Sequence, residues 1–267
     1  MSNFLDKNEL LICNEFIENG FIVKDAYNIE SLNILQEFLV EQSSKILGKN
    51  YKSNNTDWLN NIHKIIEIDQ LNDVRLQLIQ SINKEKKFRE HYYQIAKPFL
   101  DVIVGNELAM QIRVNLSIQI PNDSSSLLPV HADTWSGDSP FEVVAWIPLV
   151  DCYKTKTMFI LPPKKTLELH ENFKNKSGAN SQTLFKHIEK DLTWLNVDYG
   201  QIVIFNQSLP HGNIINTENE TRWSMNCRFK GIFTPYKDKK LGEFFEPITL
   251  KPISKLGMDY SLPKLKI

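Results

Sequence analysis

The sequence predicts a β-barrel or curled sandwich buttressed by N-terminal helices, a mainly β fold with α. Three observations predict it. The first hundred residues carry apolar positions at helical spacing. From about residue 111 the pattern switches to a period of two. The alternating segments then keep one polar face instead of being apolar throughout.

The helical part comes first. Residues 31–47 set Leu32, Leu35, Phe38, Leu39, Ser43 and Ile46 on one stripe, and residues 71–82 repeat the pattern with Leu71, Val74, Leu78, Ile79 and Ile82. A third helix is expected over residues 84–99, ending around Pro98. The polar, Asn-rich stretch 49–57 reads as a loop. Residues 111–120 then alternate as one strand, with Ile112, Val114, Leu116, Ile118 and Ile120 on one face and Arg113, Asn115, Ser117 and Gln119 on the other. Further strands are expected over 141–148, 157–161, 200–205 and 222–232. The turn signals Pro121-Asn122-Asp123, Ser136-Gly137-Asp138, Pro162-Pro163 and His211-Gly212-Asn213 separate them. Residues 164–195 turn helical or irregular, an insertion long enough to act as a lid. The tail from about Lys237 is rich in Lys and Pro and reads as irregular. The expected organisation is a single domain over 1–267: helices in 1–109, the barrel core in 110–235 with an insertion at 164–196, and a tail in 236–267.

Composition narrows the function classes. The chain has 267 residues and 42% hydrophobic content, enough for one large core. Its 31 basic and 32 acidic residues leave a formal charge of -1 and no electrostatic reason to seek nucleic acid or an anionic membrane. Cys13, Cys152 and Cys227 are odd in number and form no CxxC pair, which argues against a disulfide framework or zinc-thiolate site and for a reducing cytoplasm. Asp6, Lys7 and Glu9 make the N-terminus unlike a signal peptide, and no apolar run reaches the roughly 20 residues a bilayer span needs. A cytoplasmic protein acting on small molecules is expected.

Polar residues facing a barrel interior need a reason, and a bound metal supplies one. In Val130-His131-Ala132-Asp133, an extended backbone turns the imidazole and the carboxylate to the same side. His211 follows the strand at 200–205, where a turn brings it back toward the pair. Two histidines and one carboxylate on one face of an octahedron leave three positions open, the arrangement of non-haem iron(II) oxygenases. Further on, Arg222, Ser224, Asn226 and Arg228 share one face and Trp223, Met225, Cys227 and Phe229 the other. A buried guanidinium calls for an anion, and its planar fork suits a carboxylate. Structural salt bridges for both arginines are the competing reading. His63, His91, His170 and His187 have no partner at ligand spacing and read as surface or capping residues, and Cys227 reads as core.

His-x-Asp, a distant His, and then Arg222-Trp223-Ser224 resemble the iron(II)/2-oxoglutarate-dependent oxygenases. The spacing from His211 to Arg222 is similar to that of the phytanoyl-CoA dioxygenase branch. Asn115-Leu116-Ser117-Ile118-Gln119, His131-Ala132-Asp133, Gly137-Asp138-Ser139-Pro140-Phe141-Glu142 and Trp146-Ile147-Pro148-Leu149-Val150-Asp151 look like the oxygenases of bacterial surface-carbohydrate and streptomycin-type clusters. The resemblance covers residues 110–235. It implies a double-stranded β-helix (a jelly-roll, cupin-like barrel), Fe(II) held by His131, Asp133 and His211, and 2-oxoglutarate held by Arg222 and Ser224, with O₂ as co-substrate. It further implies hydroxylation of a small polar molecule such as a sugar or sugar nucleotide. Asp133 argues against a related halogenase, which has a small residue there. Gln119, Trp135, Asp138, Glu142, Trp146 and Arg228 are candidate substrate residues, with the role of Arg228 open. A cupin-like sugar isomerase or epimerase, or a non-catalytic carbohydrate-binding barrel, is the alternative. Arg222 and Ser224 argue against the first and the complete triad against the second.

Overall fold

The computed structural model describes residues 4–51, 54–171 and 181–262. In chain order, α1 (Lys7–Asn19), β1 (Phe21–Asp25), α2 (Ile29–Leu47), α3 (Asn55–Asn60), α4 (Leu71–Lys84) and α5 (Phe88–Ile103) precede β2 (Leu108–Gln111), β3 (Asn115–Gln119), β4 (Glu142–Pro148) and β5 (Phe159–Ile160). Then come α6 (Pro163–Glu171), α7 (Ser181–Ile188), β6 (Thr193–Trp194), β7 (Gln201–Asn206), β8 (His211–Gly212), β9 (Arg222–Gly231), β10 (Phe245–Pro247) and α8 (Pro252–Met258). No helix of the described residues is long and apolar enough to cross a membrane.

The strands form two antiparallel sheets, as in a jelly roll. The larger runs β1-β7-β4-β9-β2-β10, with β3 also paired to β9; the smaller runs β6-β5-β8 and is extended by a bridge between His131 and His211. Period-two alternation sends the two faces of the large sheet to different places. Val143, Ala145 and Ile147 of β4, Ile202 and Ile204 of β7, and Trp223, Met225, Cys227 and Phe229 of β9 pack with the buried stripes of α2, α4 and α5. Val144, Trp146, Val203 and Phe205 point the other way, into a second cluster with Met158, Ile160 and Leu209. The helices thus cover one face of the large sheet, and the opposite face is left to line the barrel. Trp223 is fully buried in the helical layer, and its indole N–H donates to Leu59 O at 2.9 Å.

Several local expectations change. The alternation over 111–120 is two strands, not one. Met110 pairs with Phe229 and Asn115 with Asn226, so between these pairs four residues on one side face two on the other. This is a two-residue bulge. An even insertion preserves the inside–outside phase, so the sequence pattern runs through the break. Ile112 N–H leaves the ladder for Phe244 O, and Val114 N–H for Asn83 Oδ1. Pro98 lies inside α5, which runs on to Ile103 and buries Leu100 beyond the proline. The N-terminal part also supplies a strand: β1 lies along β7, with Phe21 opposite Phe205. The tail supplies β10, on β2, and α8. The polar loop after α2 is shorter than expected, since α3 starts at Asn55. The expected insertion holds α6 and α7; its residues 172–180, and residues 52–53 of the expected loop, lie outside the described residues.

Candidate metal centre

His131 and His211 are cross-strand partners. His131 N–H donates to His211 O at 3.0 Å and His211 N–H to His131 O at 2.8 Å, and the ring centroids lie 4.4 Å apart. In both rings Nδ1 sits 2.8 Å from a carbonyl two residues earlier, Pro129 O for His131 and Leu209 O for His211. A carbonyl only accepts, so Nδ1 carries the hydrogen and Nε2 keeps its lone pair. Burial pushes the pKa of His211 down to about 4, and neighbouring His131 acts in the same direction. His211 is therefore a neutral imidazole at pH 7, the ligating form.

Ala132 is extended (φ -122°, ψ 135°), so Asp133 projects to the same side as His131 before the chain closes into the 3₁₀ turn Asp133–Ser136. Asp133 Oδ1 lies 3.6 Å from His131 Nε2. One donor atom from each of His131, Asp133 and His211 falls within 4.8 Å of the others. Two imidazoles and a carboxylate converging this way can hold a divalent transition metal on one face. Close approach of the chain keeps the set together. A Cβ on Gly212 would meet Leu128 O at 2.7 Å. Asn213 clamps the same segment, with Oδ1 accepting from Leu128 N–H at 2.8 Å and its own N–H donating to Leu128 O at 2.9 Å.

The three residues line a cavity of about 370 Å³ together with Arg222, Ser224, Trp146 and Arg228. Arg222 is 2% exposed. Its Nη1 donates to Thr157 O and its Nη2 to Ser117 Oγ, each at 3.0 Å. No acidic side chain of the described residues is within ion-pair distance of it. Its Nε, Ser224 Oγ and Thr157 Oγ1 are buried with no hydrogen-bond partner among the described residues. Burial lowers the pKa of the Arg222 guanidinium. A buried cation beside orphaned donors is costly unless an anion arrives to use them.

Arg228 also points into the cavity, but it is engaged. Its Nη2 lies 2.8 Å from Asp133 Oδ2, its Nε donates to Gln207 Oε1 at 2.9 Å, and Asp138 Oδ1 stands 3.8 Å away. Four other candidates do not line the cavity. Gln119 Nε2 donates to Ile214 O at 2.6 Å. Trp135 is part-exposed, with its ring 6.4 Å from that of His170. Asp138 pairs with Lys239 at 2.9 Å. Glu142 is buried, accepting from Gln207 Nε2 at 2.7 Å and Ser139 N–H at 3.2 Å, and burial raises its pKa. For Trp135, Asp138 and Glu142 the physical reason is the turn at Asp133–Ser136, which carries the chain away from the cavity so that nearness in sequence to His131 is lost; Gln119, at the end of β3, is instead held by the Ile214 carbonyl. His63 bonds Thr221 and His91 bonds Ser31, each at 3.0 Å.

Ser117, Thr157, Gln207, Asn226 and Arg75 were not singled out by the sequence. Ser117 and Asn226 carried a signal, since both sit on polar faces of alternating strands. Thr157 and Gln207 carried none, because their roles come from long-range pairing.

No protein-family model matches the chain, and no curated protein matches it. Solved structures do. The carbocyclase SnoK of nogalamycin biosynthesis, described as non-heme and alpha-ketoglutarate-dependent, is 14% identical, with 87% of each chain covered and a TM-score of 0.55. EctD from S. alaskensis with bound Fe is 12% identical, covering 88% of this chain and 81% of its own, at a TM-score of 0.55. HygX from Streptomyces hygroscopicus with nickel and 2-oxoglutarate bound is 12% identical, covering 89% and 90%, at a TM-score of 0.51. The chain therefore has the fold of the non-haem iron, 2-oxoglutarate-dependent oxygenases. At these identities the likeness speaks for the fold; the case for the reaction rests on this chain's own residues.

Proposed function

We propose that this protein is an Fe(II)- and 2-oxoglutarate-dependent dioxygenase of the phytanoyl-CoA dioxygenase-like branch, a single oxygenase domain that hydroxylates a small polar substrate in the cytoplasm. One observation carries this reading: the cavity that holds the two-histidine, one-carboxylate cluster also holds a buried guanidinium with no acid partner among the described residues. A cupin-like isomerase has no need of that second feature, and a non-catalytic barrel has no need of either.

His131 Nε2, Asp133 Oδ1 and His211 Nε2 would hold the iron, and Arg222 with Ser224 would hold the distal carboxylate of 2-oxoglutarate. The bound metal and cosubstrate supply O₂ activation and C–H oxidation, with succinate and CO₂ as the cosubstrate's products. The chain's own work is positional. The Pro129 and Leu209 carbonyls fix both imidazoles in the ligating tautomer. The Thr157 carbonyl and Ser117 hydroxyl aim the Arg222 fork. Val144, Trp146, Met158 and Phe205, part of one buried apolar cluster, give the cavity an apolar wall.

A sugar or sugar nucleotide in carbohydrate or natural-product biosynthesis is the substrate reading. Amide and hydroxyl groups of Asn115, Asn226, Ser125 and Ser126 on the cavity wall support it, with Trp146 as an aromatic face. Arg75 lines the same cavity, and its hydrogen bond goes to Asn72 Oδ1 at 2.7 Å on its own helix. A phosphate on the substrate would give it a partner.

The test is succinate formation from 2-oxoglutarate by the purified protein, with Fe(II) and O₂ each omitted in turn. The reading expects turnover that needs both and is abolished in His211→Ala. Full activity in that variant, or none in the wild type with a panel of sugars and sugar phosphates, contradicts it.

A further inference from the structure

The role of Arg228 is the one the cavity leaves open. Its guanidinium sits on the wall of a metal site, where a cation is out of place: it would repel a divalent ion. What it touches explains it. Nη2 takes Asp133 Oδ2 at 2.8 Å, while the other oxygen, Oδ1, faces His131 Nε2 at 3.6 Å. The carboxylate is therefore divided, one oxygen held by arginine and one turned toward the histidines.

The arginine is itself held on every side. Gln207 Oε1 accepts from Nε at 2.9 Å, and the same Gln207 donates through Nε2 to Glu142 at 2.7 Å. Gln111 Oε1 accepts from the Arg228 backbone N–H at 3.2 Å and from Nη1 at 3.4 Å. Asp138 Oδ1 lies 3.8 Å from Nε and is anchored by Lys239 at 2.9 Å. The guanidinium stands over the Phe244 ring, 5.8 Å from its centroid. Glu142 and Asp138, which look like substrate residues in sequence, thus lie in the scaffold behind Arg228. Gln111 is the last residue of β2 and continues its register to stand opposite Arg228, and the two-residue bulge between β2 and β3 begins beside this contact.

We infer that Arg228 is a positioning residue that keeps Asp133 a one-oxygen ligand, leaving the positions that 2-oxoglutarate and O₂ require. The inference rests on the metal-site reading above. A carboxylate with both oxygens free can chelate a metal through both, and would then occupy a position the cosubstrate needs. Arg228 also neutralises Asp133, so its loss leaves an extra negative charge beside the site of a dianion. Both effects act against 2-oxoglutarate. Neither weakens the metal, which gains an oxygen and loses a repelling neighbour.

That split is the test. Co(II) is titrated into metal-free wild type, Arg228→Met and Arg228→Lys, following the visible Co(II) spectrum. 2-Oxoglutarate affinity is then measured calorimetrically on the Mn(II)-loaded proteins. The expected result for Arg228→Met is Co(II) affinity equal to or above wild type, a changed Co(II) spectrum before any 2-oxoglutarate is added, and, from the uncompensated Asp133 charge beside a dianion, 2-oxoglutarate affinity lower by on the order of tenfold or more. Arg228→Lys keeps the charge but presents a single point of contact, so it should fall between the two. An unchanged Co(II) spectrum with normal 2-oxoglutarate affinity in Arg228→Met overturns the inference while leaving the metal site standing. Parallel loss of Co(II) and 2-oxoglutarate binding in both variants marks a merely structural role and also overturns it. A wild type that takes up no Co(II) overturns the metal-site reading and this one together.

Discussion

Replacing Arg222 by methionine keeps much of the side chain's bulk and removes its charge and fork. Of the five N–H donors of a guanidinium, one on Nη1 goes to Thr157 O and one on Nη2 to Ser117 Oγ, each at 3.0 Å. Nε–H has no partner among the described residues. That leaves Nε–H and one hydrogen on each Nη, enough for two parallel bonds to a carboxylate. A charge-assisted contact of this kind contributes about 1.5–3 kcal/mol, a factor of roughly 10–100 in dissociation constant. The assay is thermal unfolding of Mn(II)-loaded protein with 2-oxoglutarate at about 100 times the wild-type dissociation constant. Wild type should gain about 2.7 kcal/mol of stability from the ligand, and a variant 100-fold weaker only about 0.4 kcal/mol. Arg222→Lys should recover part of the difference, since an ammonium cannot present the fork. Metal affinity without 2-oxoglutarate should match wild type, because Arg222 touches none of the three ligands. If Arg222→Met gains as much from 2-oxoglutarate as wild type, the cosubstrate does not bind there.

Other expectations follow from the same geometry. Gly212→Ala puts a methyl 2.7 Å from Leu128 O, so the segment leading to His131 must shift; stability should fall by about 1–3 kcal/mol, and titration should show weaker Co(II) binding. His211 has its pKa lowered to about 4 by burial, against about 6.5 when unfolded. Between those values the unfolded chain binds the extra proton, so the stability this histidine contributes to metal-free protein is present above pH 6.5 and is lost as pH falls toward 4. The difference is on the order of 3 kcal/mol, and denaturant midpoints from pH 7 to 4 should fall accordingly, a slope His211→Gln should flatten. Arg75→Ala should weaken the stimulation of succinate formation by sugar phosphates and leave that by uncharged sugars unchanged; equal loss for both would remove the phosphate from the substrate reading.

The parts of this architecture legible in the sequence are those whose environment differs sharply across one element. β9 lies mid-sheet, with helices on one face and the cavity on the other, so its residues alternate between Trp, Met, Cys, Phe and Arg, Ser, Asn, Arg. The buried stripes of α2 and α4 are legible for the same reason. α1 buries no residue completely, and β1 pairs only along β7 at the sheet edge, so neither imposes a strong pattern. The bulge at 112–114 was hidden because an even insertion keeps the phase. In the site, the triad could be read from His-x-Asp and a later His, since an extended Ala132 is enough to align the first two. The partner of Arg228 could not. Its ion pair with Asp133 and its hydrogen bond to Gln207 join chain segments that only the folded barrel brings together, and nearness to His131 in sequence drew attention to Trp135, Asp138 and Glu142 instead.

The most direct test of the central claim is an anaerobic titration of 2-oxoglutarate into the Fe(II)-loaded protein, read by visible absorption. An assembled site of three protein ligands with three open positions lets the keto acid chelate the metal, and the account predicts a saturable metal-to-ligand charge-transfer band that is absent with succinate and lost in His211→Ala. A wild-type protein that binds Fe(II) and 2-oxoglutarate yet develops no such band would contradict it, because the cosubstrate would then not be on the metal held by His131, Asp133 and His211.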